Sequence, residues 1–300
     1  MFDEKQLRAV ITLQNGQFSG GGNSITLSGL RMTLEATRLP GESGSTIEML
    51  AIYGMSLSHM NQASVCGRTW NTGQQKNTIA VYAGSSSTGG PTNLVASVYI
   101  IDALVDASAM PEVCFRVDGN QTHVVARDAT AKPTTRKGDA QGADLLSFLA
   151  KQMGFEFENN GVSGVLRNPY LHGTYLTQLR KLTDSLGCHY IVENGTLAVW
   201  PKGGSRGTWS GGVIKPPQII GYPSFSQSHL HLTTEYLPGL KTGEEIQVQS
   251  SLTPACGTWR VDTIKYELDA LQPRGRWQQT MDCTFPDQSA DSAPYDTGAN

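Results

Sequence analysis

Charge is scarce in this 300-residue chain: Asp, Glu, Lys and Arg together make up 16% of it, against about 25% in an average domain. No apolar run approaches the roughly 18 residues that read as a membrane-spanning helix. Cysteine is limited to five residues, Cys66, Cys114, Cys188, Cys256 and Cys283. Their odd number, wide spacing and lack of a C-x-x-C pair read as reduced thiols of a protein made in a cytoplasm. The start, Met1-Phe2-Asp3-Glu4-Lys5, lacks the basic and apolar regions of a secretory signal. A basic surplus is missing too. The 23 Lys and Arg face 26 Asp and Glu, which argues against a nucleic-acid binder. The net charge of −3 falls on the last fifteen residues, which hold Asp287, Asp291 and Asp296 and no Lys or Arg. The densest basic run, Lys132, Arg136 and Lys137, reads as a solvated loop.

What is present points to β-structure. Apolar residues make up 38% of the chain and aromatics 8%, enough for real cores, and glycine numbers 33. Leu7, Ala9, Ile11 and Leu13 alternate with polar residues at the period of a half-buried strand. Gly20–Asn23 turns the chain. Ile25 and Leu27 then alternate in one phase and Leu30, Met32 and Leu34 in the other, which predicts a β-bulge near Gly29 within one long strand. Leu39-Pro40-Gly41 is a turn, and Ile47 to Tyr53 a further strand. Ser56 caps a short helix with Leu57, Met60 and Val65 on one face and Gly67 as its stop. Strands are expected at 77–83, 93–106, Glu112–Val117 and His123–Arg127.

After Arg127 the period changes. Residues 128–142 read as a loop or linker. Leu145, Leu146, Leu149 and Met153 fall at helical spacing before Gly154. A second helix runs from its cap Thr174 through Leu176, Leu179, Leu182 and Leu186 to Gly187. Asn194-Gly195 between two apolar runs predicts a tight hairpin, Cys188–Glu193 with Thr196–Trp200. Gly203–Gly212 reads as a linker, and strands return at Gln218–Tyr222, Leu230–Tyr236, Glu245–Gln249, Thr258–Leu268 and Arg276–Phe285. The predicted fold is therefore mainly β with a smaller α/β part. Its domains are residues 1–127, an α/β insertion at 128–205, residues 206–286, and an acidic tail at 287–300. That tail has too little apolar content to fold alone and is expected to order against a neighbouring protein.

Two segments 163 positions apart echo one another. Val98, Ile101, Asp106, Ala107 and then Pro111 match Val261, Ile264, Asp269, Ala270 and then Pro273. Two readings stay open at this point: an internal duplication, with Asp106 and Asp269 at equivalent turns, or two unrelated hairpins with similar turn chemistry.

Motifs that carry chemistry are few. Gly20–Asn23 is followed by no Gly-Lys-Ser/Thr and is expected to be a hairpin loop, not a phosphate cradle. There is no G-x-S-x-G elbow. His229 and His231 share one face of a strand, a metal pair lacking a third ligand nearby in sequence. Cys188-His189 is read as core rather than as a catalytic dyad. Asp102 with Asp106, and Glu244 with Glu245, are weighed as carboxylate pairs for glycoside cleavage and set aside, since nothing joins them in one cleft. Trp200, Trp209, Trp259 and Trp277 are expected to pack in a core or an interface rather than to stack sugars or bases. No catalytic, cofactor-binding or metal-binding residue is assigned, and no enzyme is expected.

Gly257-Thr258-Trp259-Arg260-Val261, Tyr266-Glu267-Leu268-Asp269 and Pro273-Arg274-Gly275-Arg276-Trp277 resemble the closing hairpin of baseplate hub proteins of contractile-tailed, Mu-like bacteriophages. Leu7–Leu13 with Ile25–Leu34, and Ile100-Ile101-Asp102-Ala103 up to Pro111, are similar to that family's first domain. Leu176–Trp200 is similar to its central one. The resemblance implies two tube-type β-barrel domains flanking the α/β insertion, and a structural virion protein of the tail baseplate. It also implies a homotrimer that joins a hexameric tail tube to a trimeric central spike, among other baseplate proteins. Neither membrane nor sequence-specific DNA contact is implied, although the genome would pass through the ring. The runners-up are a carbohydrate-binding or peptidoglycan-hydrolysing tail protein and the hub part of a secretion-system spike.

Overall fold

The computed structural model describes residues 3–64, 76–126, 128, 131–226 and 228–286. The chain opens with β1 (Lys5–Thr12), β2 (Ser24–Ser28), β3 (Met32–Leu39) and β4 (Gly44–Tyr53). Helix α1 (Leu57–Ala63) leads to β5 (Thr78–Ser85), β6 (Gly90–Ala109) and β7 (Glu112–Asn120). On β3 the side chains of Met32, Leu34, Ala36 and Arg38 are buried and those between them half-buried, as a pleat with one face on a core requires.

The phase change near Gly29 has a different cause from the expected bulge. Gly29 turns the chain at φ +66, and β2 and β3 are separate strands. β2 lies beyond β1, while β3 lies against β4. Helix α1 is capped by Ser56, whose side chain accepts the His59 N–H at 3.3 Å. It ends at Ser64, so the expected Val65 and Gly67 lie outside the described residues, as do Cys66 and the tail 287–300. Leu57 is exposed, and Met60 and Ala63 carry the buried face.

The predicted strand at His123–Arg127 is instead a single helical turn, α2 (His123–Ala126), with Arg127 outside the described residues. The Thr122 carbonyl accepts the Ala126 N–H at 2.9 Å, and four residues are too few for periodicity to separate the two states. The expected loop 128–142 contains β8 (Thr134–Thr135) and β9 (Asp139–Gln141). Next come α3 (Gly142–Met153), β10 (Glu156–Asn159), β11 (Val165–Arg167), β12 (Tyr170–Leu171), α4 (Tyr175–Leu186), β13 (Cys188–Glu193) and β14 (Thr196–Pro201). Both long helices end on glycines in the left-handed region, Gly154 and Gly187. The β13–β14 turn uses Asn194 at φ 51 and Gly195 at φ 84, the pair of positive angles that Asn-Gly accommodates.

The last stretch holds β15 (Thr208–Ile214), β16 (Ser224–Phe225), β17 (Leu230–Glu235), β18 (Glu245–Val248), β19 (Gly257–Ala270) and β20 (Trp277–Thr284). β15 begins inside the expected linker. Gly211 serves packing, since a Cβ there would sit 2.0 Å from the Trp209 ring. The expected strand at Gln218–Tyr222 touches β17 only through an isolated bridge, Ile219 with Thr234.

Thirteen strands form one sheet: eleven lie on the hydrogen-bonded path β16-β17-β20-β19-β3-β4-β7-β6-β5-β1-β2, and β18 and, through it, β15 branch from β19. The order β3-β4-β7-β6-β5 and the order β16-β17-β20-β19-β18 follow the same connectivity, strand for strand. The flank differs: β1 runs antiparallel to β5, and β15 parallel to β18. The path is continuous because β19 changes partner. Gly257–Arg260 pairs with β18 and Ile264–Ala270 with β3. One buried apolar cluster runs through both β regions, from Leu7 to Cys283. A second lies between α3, α4 and the small sheet β10-β14-β13. The molecule is thus mainly β with a smaller α/β part, the class its sequence predicts.

Candidate functional site

The three regions meet at a cluster of buried charge. β3 contributes Arg38, β13 contributes Glu193, and the segment entering β15 contributes Arg206. The Arg206 side chain is only 2% exposed. Its Nε and Nη2 each donate to a Glu158 carboxylate oxygen at 3.0 Å. Its Nη1 donates to Glu193 and, at 2.9 Å, to the Thr242 carbonyl. Arg38 Nη1 stands 3.5 Å from the other Glu193 oxygen and donates to the Leu240 carbonyl at 3.0 Å. Its Nη2 donates to the Val95 carbonyl at 2.7 Å, and its guanidinium lies 5.2 Å from the centre of the Tyr266 ring. One carboxylate therefore bridges two guanidiniums, and each guanidinium also binds backbone from a distant part of the chain.

The electrostatics favour the charged forms of both guanidiniums and of Glu158. Burial opposes the charge on Arg38, but Tyr266 and Glu193 keep its pKa above the ordinary value. Arg206 is likewise raised against burial, chiefly by Glu193. Its hydrogen bonds lower the Glu158 carboxyl. Burial lifts the Tyr266 phenol to about 12. Arg38, Arg206, Glu158 and Tyr266 are all shifted away from the neutral range, and the cluster ties β3, β13 and the segment entering β15 together. Removing one partner of a buried ion pair leaves an uncompensated buried charge, so such a pair resists separation of the elements that carry it even when it adds little net stability.

Two further contacts complete the joint. Arg260 on β19 donates from Nη1 to the Lys202 and Gly204 carbonyls at 3.0 Å each, and from Nε to Asp262 at 2.9 Å. The chain leaving the α/β region is thereby clamped to the second β region. On the opposite side, the Gly41 N–H donates to the Tyr190 carbonyl at 2.8 Å. Gly44, at φ +57, leaves no room for a side chain, since a Cβ there would lie 2.6 Å from the Val192 carbonyl oxygen.

A model of the baseplate hub gp41 family matches residues 8–274. The chain belongs to that family. It is accordingly a structural part of a phage tail, a virion component, as the resemblance in its closing hairpin implies. Among curated proteins, none matches the chain by sequence. Solved structures give the same fold for the baseplate hub chain at low identity. A 43 kDa tail protein of prophage MuSo2 from Shewanella oneidensis superposes with a TM-score of 0.63 at 12% identity, over 95% of this chain and 98% of the other. A tail protein from Neisseria meningitidis MC58 gives 0.60 at 10%, over 93% and 96%. The E. coli c3393 protein, a type VI secretion component described as similar to the T4 tail proteins gp27 and gp5, gives 0.59 at 10%, over 91% and 76%.

The residues weighed from sequence are dispersed in the hub. His229 and His231 do stack, 6.5 Å apart. His231 Nδ1 lies 2.5 Å from Asp282 Oδ1, while His229 Nδ1 meets Ser228 Oγ at 2.7 Å. No group of three or more potential ligands forms a metal site among the described residues. Cys188 Sγ contacts the Thr183 carbonyl, and burial raises its thiol to about 11. His189, on the other face of the strand, packs against Trp200. Asp102 stands opposite Asp118, and Asp106 accepts from Ser108. Glu244 accepts the Lys241 N–H, and Glu245 pairs with Arg260 in the sheet. Trp200, Trp209 and Trp259 are buried and Trp277 packs on the same β core.

The charge cluster itself escaped sequence reasoning. One signal was available: Arg38 continues the inward phase of Met32 and Leu34, and a charge on a core-facing position demands a buried partner.

Proposed function

We propose that this chain is the ring-forming hub that joins the hexameric tail tube to the trimeric central spike of a contractile tail. The observation that carries this reading is the repeated connectivity of the two β regions, fused into one sheet through β19 and β3. Three chains with two similar units each present six units to a tube and keep three-fold symmetry toward a spike. In this reading residues 1–127 and 206–286 are duplicated tube-type barrels, 128–205 is an inserted α/β domain, and 287–300 is a segment that orders on a neighbour. Asp106 and Asp269 are then counterparts near the turns of equivalent hairpins. Each accepts a backbone N–H, from Ser108 at 2.9 Å and from Arg276 at 2.8 Å.

The buried charge cluster holds the two tube-like units and the insertion in one orientation, which a symmetry adapter needs and an enzyme does not. Its partners are further copies of itself, the tail tube, the spike and other baseplate proteins. It takes no cofactor or metal, and passing DNA is not read by sequence. The secretion-component neighbour favours a second reading, the hub part of a secretion spike. The genes flanking this one separate the two.

The test is mass and symmetry. Light scattering at high protein concentration, or with the spike present, is expected to give three times 32.3 kDa, about 97 kDa, since association follows mass action. Electron micrographs of assembled tails are expected to show a three-fold hub. Two-fold or six-fold symmetry there overturns the reading.

A further inference from the structure

The joint between the two β regions leaves one of its own counterparts open. β18 covers one edge of β19 as far as Arg260, with the Gly243 N–H bonded to the Val261 carbonyl. β3 takes over that edge from Ile264 to Ala270. The same hand-off begins on β6. β5 covers its edge as far as Tyr99, and the Ile100 N–H reaches the Asn77 carbonyl at 2.9 Å. From there β6 runs on to Ala109, paired with β7 on its other side. Among the described residues no strand lies on the β5 side of that extension. The 163-residue offset of the echo places Ile101–Ala107 on Ile264–Ala270, where β3 docks.

The counterpart of β3 in the other β region is segment 218–225. It sits beside β17 as β3 sits beside β4, and β16, at its end, closes the sheet path. No described strand pairs with its outer edge. Each edge exposes large apolar side chains among polar ones: Leu104 is 44% exposed on β6, between the half-buried Asp102 and Asp106, and Ile220, Tyr222 and Phe225 are 42%, 77% and 49% exposed on the segment. Open edges of this kind call for a covering partner. Pro223 withholds one donor from the segment, which limits indiscriminate strand addition.

We infer that Ile101–Ala107 of one copy takes segment 218–225 of a second copy as its neighbour, repeating between chains the β19–β3 joint made within each chain. The inference rests on the ring reading above and deepens it by naming the surfaces. The contact joins two different surfaces, and with a three-fold rotation between copies it closes into the ring of the reading above. It also alternates the two β regions around that ring.

The test uses the full chain with Cys66→Ser and Cys256→Ser, carrying Leu104→Cys and Tyr222→Cys together, treated with a short bismaleimide. Covalent species of up to three chains are expected, with none from a chain that carries only one of the two introduced cysteines. A protein that is trimeric by light scattering yet gives no such cross-link overturns the edge assignment and leaves the ring standing. A protein that is monomeric at its highest soluble concentration and not three-fold in assembled tails overturns both. As a second measurement, Leu104→Asp, at an exposed position, is expected to weaken self-association about tenfold or more with an unchanged circular dichroism spectrum. Unchanged association overturns the assignment.

Discussion

Replacing Glu193 by Ala removes the single carboxylate that lies between two buried guanidiniums. Breaking a buried ion pair from one side costs about 3–5 kcal/mol, because the remaining charge keeps its desolvation penalty without its partner. Arg206 retains Glu158, whose side chain is 32% exposed, and Arg38 retains two carbonyl acceptors, so the lower end, about 3 kcal/mol, is expected. An unfolding entropy of about 2.1 cal/mol/K per residue gives about 0.6 kcal/mol/K for a chain of this length. The midpoint should therefore fall by roughly 5 °C in thermal unfolding followed by circular dichroism. The triple variant Arg38→Met, Glu193→Leu, Arg206→Met removes the charges together and should recover most of the loss, since apolar replacement of a whole buried network is often neutral. A Glu193→Ala midpoint within about 1 °C of the parent would refute the claim that the cluster holds the three regions together.

Two other perturbations address neighbouring parts of the joint. Burial, and then the Arg260 charge, lower the His189 pKa below its ordinary 6.5. The folded state therefore favours neutral imidazole, and its stability should drop as pH falls below about 6.5 toward the folded pKa. His189→Gln should flatten the midpoint-versus-pH curve between pH 7.5 and 5.5, and parallel curves for the two proteins would count against this. Gly44→Ala combines a positive φ with a 2.6 Å approach to the Val192 carbonyl and should cost more than about 1 kcal/mol in denaturant unfolding. A variant as stable as the parent would show that the β3–β4 turn does not press on β13.

Much of the fold is written in local pattern. The alternation on β1, β17 and β20, the caps at Thr174 and Gly187 and the Asn194-Gly195 turn each rest on a few adjacent residues, and all form as expected; on β4 a bulge between Ile47 and Leu50 shifts the expected phase, so that Leu50 and Ile52 rather than Met49 and Tyr53 are fully buried. The misreadings have different physical causes. The phase change near Gly29 became a bulge because sequence does not show that β2 and β3 join different neighbours. The glycines of 203–212 suggested slack because composition does not show that the Trp209 ring folds over Gly211 two residues on. His123–Ala126 is too short to show a period. At the joint, Arg38 was visible as a misplaced charge, but Glu193 and Arg206 lie over 150 residues away and only folding brings them to it.

The pairing of β19 with β3 also sets an order of events during synthesis. Arg38 pairs with Ile264, 226 positions later (264 minus 38). The edge of β3 therefore stays open until nearly the whole chain has left the ribosome, while the α/β region can form from local contacts. Long-range strand pairing of this kind is slow, because loop-closure entropy precedes any reward. An open edge in the meantime invites wrong partners. Pulse-labelled hydrogen exchange during refolding should show the amides of Thr33–Thr37 protected after those of α3 and α4, and early protection of β3 would argue against that order. The strand that makes the two β regions continuous is thus also among the last that the nascent protein can place, followed only by β20.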